Sequence, residues 1–346
     1  MMKSVKRVLA VTTAVCAVCA MAFSACKEQD KAQDGAVTLV PIANPADISP
    51  ALNYDYYLAA EPLASAKVKA TANTATPLRI VANLQSLYGG ENGYPQAVLV
   101  AKSSFIAQNG AWVNAFMQDM VGASAWLTAE TTEIASVVGA VSAHLTDGLT
   151  PSFTEKNLTK AVIENSGVYF ESAIESKAEV NAFLDDIMRV DESAVKKVDD
   201  AFFYDGSSIT GSASVRASVY MPDGAPALAM AKFMSENRED CDFEVVNAST
   251  IATFVTGENP KADLCVLPLN LASKLLGNGA VYKMLGTVTH GNLYLLSTSE
   301  NATIESVSDL KRLVGKTLGT IQINNIPGLT LKTILKKNGI GYTEQV

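Results

Sequence analysis

Val219-Tyr220-Met221, Asp263-Leu264-Cys265-Val266-Leu267 and Asn292-Leu293-Tyr294-Leu295-Leu296 are three apolar runs, each too short for a free-standing helix. The first two end at loops of polar and breaker residues, Met221-Pro222-Asp223-Gly224-Ala225-Pro226 and Pro268-Leu269-Asn270. The third is entered through Val288-Thr289-His290-Gly291-Asn292. Apolar runs of this length between turn signals read as buried strands of a parallel or mixed sheet. A helix is expected after each of the first two loops. Open α/β sheets bind ligands beyond the carboxyl ends of their strands, where helix N-termini point backbone N–H groups into the crevice. Residues 219–297 therefore read as half of a binding cleft.

The 346-residue chain has room for about two domains. A net charge of −8 with two histidines speaks against nucleic acid as a partner, because that function wants a basic stripe. Residues 1–25 read as an export signal: Lys3, Lys6 and Arg7 precede the apolar core from Val8 to Phe23. That core is near the lower limit for spanning a bilayer, which takes about 20 apolar residues. Cys16 and Cys19 fall inside it, so their C-x-x-C spacing carries no redox or metal reading. Besides Cys26, only Cys241 and Cys265 remain in the exported chain. Export permits a disulfide, yet Cys265 lies in a predicted buried strand, so two separate buried thiols are expected rather than a bridge.

Strands are expected over 36–42, 54–60, 78–84 and 97–101, with the dense turn region Tyr88-Gly89-Gly90-Glu91-Asn92-Gly93-Tyr94-Pro95 before the last. From about Phe105 the pattern becomes helical. Trp112, Phe116 and Met120 recur every four residues, and Ile134, Val137, Val138, Val141 and Leu145 follow the same template. Residues 105–200 read as an all-helical cover, and 205–212 as a Gly-rich linker. Beyond it strands and helices alternate: strands 215–221, 243–246, 263–267, 282–288, 292–297 and 317–321, with helices at 226–236, 249–256, 270–276 and 328–337.

Three motifs carry a resemblance to a known group: Val219-Tyr220-Met221-Pro222-Asp223-Gly224-Ala225-Pro226-Ala227-Leu228, Leu267-Pro268-Leu269-Asn270-Leu271-Ala272-Ser273-Lys274, and Leu285-Gly286-Thr287-Val288-Thr289-His290-Gly291-Asn292-Leu293-Tyr294. They resemble the solute-binding lipoproteins of ABC importers, in the branch of thiamine-precursor, sulfonate and nitrate binders. The resemblance covers nearly all of the exported chain and is poorly specific for the ligand. It implies an α/β, two-lobe periplasmic-binding-protein-like fold of type 2, each lobe a mixed sheet flanked by helices. Phe23-Ser24-Ala25-Cys26 resembles a lipobox, departing from it at Phe23, where leucine is commoner. This implies cleavage before Cys26, lipid on Cys26, a tether over 26–34 and an anchor on the outer face of the membrane. In the family the segment at Tyr220 follows the anchor, whereas here the segment with Asn44-Pro45-Ala46-Asp47 comes first. Joining Val346 to about Ala36 restores the usual order, so a circular permutant is expected, with a rearranged, non-folding product as the alternative. One lobe then spans 96–300 and the other 35–95 plus 301–346, with crossings near 95–98 and 297–303 as the hinge.

Candidate ligand contacts follow from the strand ends. Asp223 and Gly224 open one helix, where the alternative is a plain tight turn. Asn270 offers an amide with two hydrogen-bonding directions, or serves as an N-cap. Thr289, His290 and Asn292 flank Gly291, which lets backbone approach a ligand closely. Asn324, Pro327 and Gly328 open the counterpart helix of the other lobe. Asn44 sits at a similar helix start, and Glu61 before Pro62 can pair with an amino group or simply be solvated. Tyr88, with Tyr54, Tyr56, Tyr57 and Tyr94, offers a stacking surface or packs. Asn165-Ser166-Gly167 is a weaker candidate. A metal site needs three or four clustered ligands, which two scattered histidines do not suggest.

No nucleophile elbow, phosphate loop or metalloprotease motif is present. The resemblance implies a non-enzymatic, cofactor-free and metal-free monomer that binds a small-molecule solute and hands it to a membrane permease. Same-fold enzymes of pyrimidine or menaquinone precursor synthesis, and a non-transporting sensory lipoprotein, are the alternatives. Glu61 with several tyrosines suggests an aromatic or heterocyclic amine. An anion would want an arginine, and Arg79, Arg189, Arg216, Arg238 and Arg312 all lie outside the candidate loops.

Overall fold

The computed structural model describes residues 35–89, 93–211, 214–298 and 301–345. The expected signal segment, Cys26 and the expected tether lie outside them. In chain order the elements are β1 (Val37–Ile42), β2 (Tyr56–Ala60), α1 (Leu63–Thr71), β3 (Leu78–Asn83), α2 (Leu84–Tyr88), β4 (Ala97–Lys102), α3 (Ser103–Thr128), α4 (Ile134–Ser142), α5 (Lys160–Asn165), β5 (Val168–Ser172) and α6 (Ala173–Met188). Then come β6 (Ala217–Pro222), α7 (Ala225–Ser235), β7 (Cys241–Val246), β8 (Leu264–Pro268), α8 (Leu269–Leu276), β9 (Tyr282–Thr289), β10 (Leu293–Thr298), β11 (Thr317–Ile321), α9 (Ile326–Lys337) and β12 (Tyr342–Glu344).

Two six-stranded mixed sheets carry these elements. The first has the order β12-β1-β11-β2-β10-β3, and the second β5-β9-β4-β8-β6-β7. In the first, β10 runs antiparallel between β2 and β3 while the others are parallel. In the second, β4 runs antiparallel between β8 and β9. The sequence accounts for the strand positions. Central β8 is apolar throughout and buried over Leu264–Leu267, whereas edge strand β7 alternates buried and exposed residues, as a sheet edge with one wet face should.

Period-two alternation divides the interior. Val98 and Val100 of β4 join one apolar cluster, which continues through α6 and α9 into the first sheet. Leu99 and Ala101 point the other way, into a second cluster with α3, α4 and α7. The first cluster thus fastens the two sheets together.

Several expectations change. The run at 292–297, assigned from sequence to the lobe of residues 96–300, becomes β10 of the first sheet, with Leu293 opposite Ala60 and Tyr294 opposite Asn83. The second crossing is therefore His290-Gly291-Asn292, between β9 and β10, and not 297–303. A fully apolar run fits the middle of either sheet, so its composition could not choose. The cover at 105–200 is not all helical, since it contains β5, whose five residues are all partly exposed and show no clear period. The helix expected over 249–256 is only a short 3-10 turn, Ile251–Phe254. Cys241 and Cys265 are both buried and unbridged, and burial pushes the Cys241 thiol up to about 12.

The two ends of the described chain lie side by side, with Val37 opposite Tyr342 and Leu39 opposite Glu344 in parallel register. Parallel neighbours need a crossover of about a dozen residues or more. Joining Val346 to about Ala36, as the permutation idea requires, would therefore have to lift β12 from its place beside β1.

Candidate functional site

Two chain segments connect the sheets, and a cavity lies against them. One is His290-Gly291-Asn292. Gly291 has φ +79, and a Cβ there would stand 2.8 Å from Gln85 Cγ and 2.9 Å from Tyr94 Cζ, so only glycine fits. The other runs from α2 to β4 and is fixed where Gln96 N–H donates to Thr289 O at 2.9 Å. The cavity has a volume of about 550 Å³, within the ~300–1,000 Å³ typical of small-molecule sites. Asn83, Gln85 and Tyr294 line it from the first sheet's side, and Gly167 and Tyr169 from the second's. His290, Gly291 and the ends of α3 and α5 complete it. Gln85 Oε1 accepts from Leu293 N–H at 2.9 Å, and Tyr294 Oη donates to Asn165 O at 3.0 Å, so both halves hold the wall.

His290 is the most unusual residue in that wall. Its side chain is 1% exposed and lies flat on Tyr169, with ring centroids 3.6 Å apart and planes 7° from parallel. Neither ring nitrogen has a hydrogen-bond partner. Nε2 stands 3.4 Å from Glu171 Oε2, which is itself unpartnered. Burial drives the imidazole down to about 3, so it is neutral near pH 7. Burial, and then Glu179 and Glu175, raise the Glu171 carboxyl above its ordinary value. Further unpartnered buried atoms gather along the boundary of the two halves: Gln96 Oε1, Asn270 Oδ1, Thr289 Oγ1 and Asn292 Oδ1. Each such atom costs about 1–3 kcal/mol, and native interiors keep few of them. They leave unmet hydrogen-bonding capacity along the boundary between the sheets.

The candidates from sequence separate into two groups. Thr289, His290 and Asn292 form the crossing itself, and Asn292 Nδ2 donates to Glu61 O at 3.0 Å. Glu61 is 2% exposed beside this crossing. Its carboxylate is already engaged, Oε1 by Ser65 Oγ at 2.6 Å and Oε2 by Ser65 N–H at 3.0 Å. Asn270 meets the other half directly, its Nδ2 lying 3.3 Å from Asn325 Oδ1. Asn325, rather than its neighbour Asn324, is thus the residue that the 322–328 loop extends towards the second sheet. Pro327 and Gly328 are buried in the first turn of α9, where a Cβ on Gly328 would fall 2.2 Å from Ile323 O.

Of these, His290 alone is among the residues lining the cavity, and Asn44, Tyr88, Asp223 and Gly224 lie outside its wall as well. Asn44 is exposed and caps a 3-10 turn by accepting from Ala46 N–H at 3.0 Å. Tyr88 Oη donates to Asp186 Oδ2 at 2.9 Å, and Lys337 Nζ lies 4.3 Å from its ring centre. Gly224 adopts φ +99 before α7. Asp223 ties down a loop: its Oδ2 accepts from Ser152 N–H at 2.6 Å and Ser152 Oγ at 2.5 Å, and its Oδ1 from Gly224 N–H at 2.8 Å. Charge-assisted hydrogen bonds contribute about 1.5–3 kcal/mol. Asp223→Ala is accordingly expected to lower stability by about 2 kcal/mol and to open the loop around Ser152 to protease. Unchanged urea midpoint and cleavage pattern would refute this.

Tyr169, Glu171, Gln85 and Asn83 escaped the sequence reading. Asn83 and Gln85 sit where β3 becomes α2, with Asn83 Oδ1 accepting from Gln85 N–H at 2.9 Å, a strand-to-helix cap that was legible as such. Tyr169 and Glu171 alternate along β5 and so share a face, but that strand was read as helix. Among the described residues no group of three or more histidine, cysteine or acidic side chains is placed to hold a metal ion. Among the same residues no helix is long and apolar enough to cross a membrane. No protein-family model, curated protein or solved structure matches the chain.

Proposed function

We propose that this chain is an extracytoplasmic solute-binding lipoprotein of the type 2 binding-protein class, anchored through Cys26, that captures a small molecule between its two sheets and delivers it to an ABC importer. The observation that carries this reading is the 550 Å³ cavity whose wall is drawn from both sheets and both crossing segments. A ligand there touches both halves at once, so its binding free energy favours the arrangement in which they are together. A permease that reads this arrangement needs no chemistry from the binding protein.

Thermal denaturation of the full chain against vitamin precursors, sulfonates, nitrate and amines tests the binding step. A true ligand at 100 times its Kd adds about 2.7 kcal/mol, a plainly visible shift in Tm. Absence of any shift across all these classes overturns the reading. Labelling with radioactive palmitate, abolished by Cys26→Ala, tests the anchor.

A further inference from the structure

We propose that the cavity between the two sheets selects an uncharged solute bearing a carbonyl oxygen, a carboxamide or a lactone, and that Asn83 donates the hydrogen bond that recognises it. This rests on the solute-binding reading above and adds the solute's charge and the group it presents.

The first observation is an amide whose direction is fixed. Asn83 Oδ1 accepts from Gln85 N–H at 2.9 Å and from Ser86 N–H at 3.3 Å, in the first turn of α2. A backbone N–H can bond only the oxygen of a carboxamide, so these two bonds settle which end is the nitrogen. Asn83 Nδ2 has no acceptor among the described residues, and it is not enclosed. Asn83 is half-buried and lines both the 550 Å³ cavity and an adjoining recess of about 280 Å³, which also share Ser86. Its neighbour Gln85 is already used. Gln85 Oε1 accepts from Leu293 N–H at 2.9 Å, and its amide bonds the Tyr294 hydroxyl, which in turn donates to Asn165 O at 3.0 Å. Asn83 is thus the amide on the first sheet's side that still has donors to give. A donor-only group is matched by an acceptor-only oxygen, which is a carbonyl rather than a hydroxyl.

The second observation is the balance of ionic groups near the wall. Glu164 lines the cavity from α5 and is exposed, and Lys160 lies four positions before it on the same helix. Lys160 Nζ is held by Leu127 O at 3.0 Å and Ala129 O at 2.6 Å, the carbonyls that flank Thr128 in the wall. Residues four apart are neighbours on a helix surface, so these opposite charges offset each other and favour neither an anion nor a cation. An ionised solute would give up its hydration in the cavity without a matched counter-charge, and a neutral one would not. On the second sheet's side, Ser124 and Asn165 line the cavity, and their side chains make no hydrogen bond among the described residues. They leave a hydroxyl and an amide for the rest of a neutral solute.

Two series of vitamin precursors, matched in shape and differing in charge, decide the matter: nicotinamide with nicotinate and 3-picolylamine, and pantolactone with pantoate. Each is titrated calorimetrically into the full chain near neutral pH. A neutral member, nicotinamide or pantolactone, is expected to bind, with the ionised members of its series at least about tenfold weaker. Which of the two binds separates a carboxamide from a lactone. Asn83→Asp and Asn83→Ser both keep an oxygen to cap α2, since aspartate and serine are good N-caps, and both remove the amide donor. Each is expected to weaken the neutral probe about tenfold while the ligand-free Tm holds. The serine variant adds no charge, so it separates loss of the donor from repulsion by a new carboxylate. Ionised members binding as tightly as the neutral one, neutral affinity unchanged in both variants, or no binding of either neutral probe overturns the proposal. Binding of an ionised probe alone, lost when Ala125→Trp fills the cavity, would remove the neutral-carbonyl assignment and leave the solute site standing. If no class of molecule shifts the Tm in the wider screen, both readings fall.

Discussion

Phe183→Ala is expected to lower the stability of the chain by about 3–5 kcal/mol, the cost of truncating a buried aromatic and leaving its cavity. Phe183 is fully buried on α6. Its ring stacks on Tyr94 at 5.2 Å and meets Tyr88 edge-on at 5.4 Å. Tyr88 and Tyr94 belong to the segment that crosses from the first sheet to the second, so the truncation loosens the join between the halves as well as a core. The surrounding groups have little room to collapse, because Tyr88 is also held by Asp186 and capped by Lys337. Urea unfolding measures the effect. A loss below about 1 kcal/mol would mean the site refills easily, and that the cluster does not bind the sheets together.

The second large effect is a dependence on pH that His290→Asn should abolish. In the folded chain burial lowers the imidazole from 6.5 to about 3. As pH falls below 6.5, the unfolded chain takes up a proton that the folded chain refuses. Stability is then lost at about 1.4 kcal/mol per pH unit, until the folded imidazole itself titrates near 3. Glu61 and Glu171 act in the opposite sense, since their carboxyls are raised by burial and bind protons in the folded chain first. The readout is therefore the difference between the wild type and His290→Asn, followed by urea midpoint from pH 7 to pH 4.5. The wild type should lose ground steadily over this range relative to the variant. Parallel profiles would show that folding leaves the imidazole at its unfolded-chain value.

Much of the fold was legible because it is written locally. The apolar run at β8, the i, i+4 repeat of Trp112, Phe116 and Met120 in α3, and the Pro327 start of α9 are set by short-range periodicity and backbone chemistry. Gly291 was legible as a point of close approach, and the structure places Gln85 and Tyr94 against it. β5 was not legible, because a short strand at the edge of a sheet is half wet on both faces and loses its alternation.

The sequence by itself determined the buried strands, the loops at their ends, and the absence of arginine from those candidate loops. Tertiary structure decided which sheet received β10, and thereby moved the second crossing to His290-Gly291-Asn292. It also decided which polar side chains were already occupied. Asp223 and Glu61 read alike along the chain, as carboxylates at strand ends, yet each is engaged by a serine, Ser152 at 71 positions' distance and Ser65 at four. His290 has no such partner. Strand composition reports burial, but the choice of neighbour belongs to long-range pairing, and only the neighbour tells whether a polar atom is satisfied or still has a bond to make.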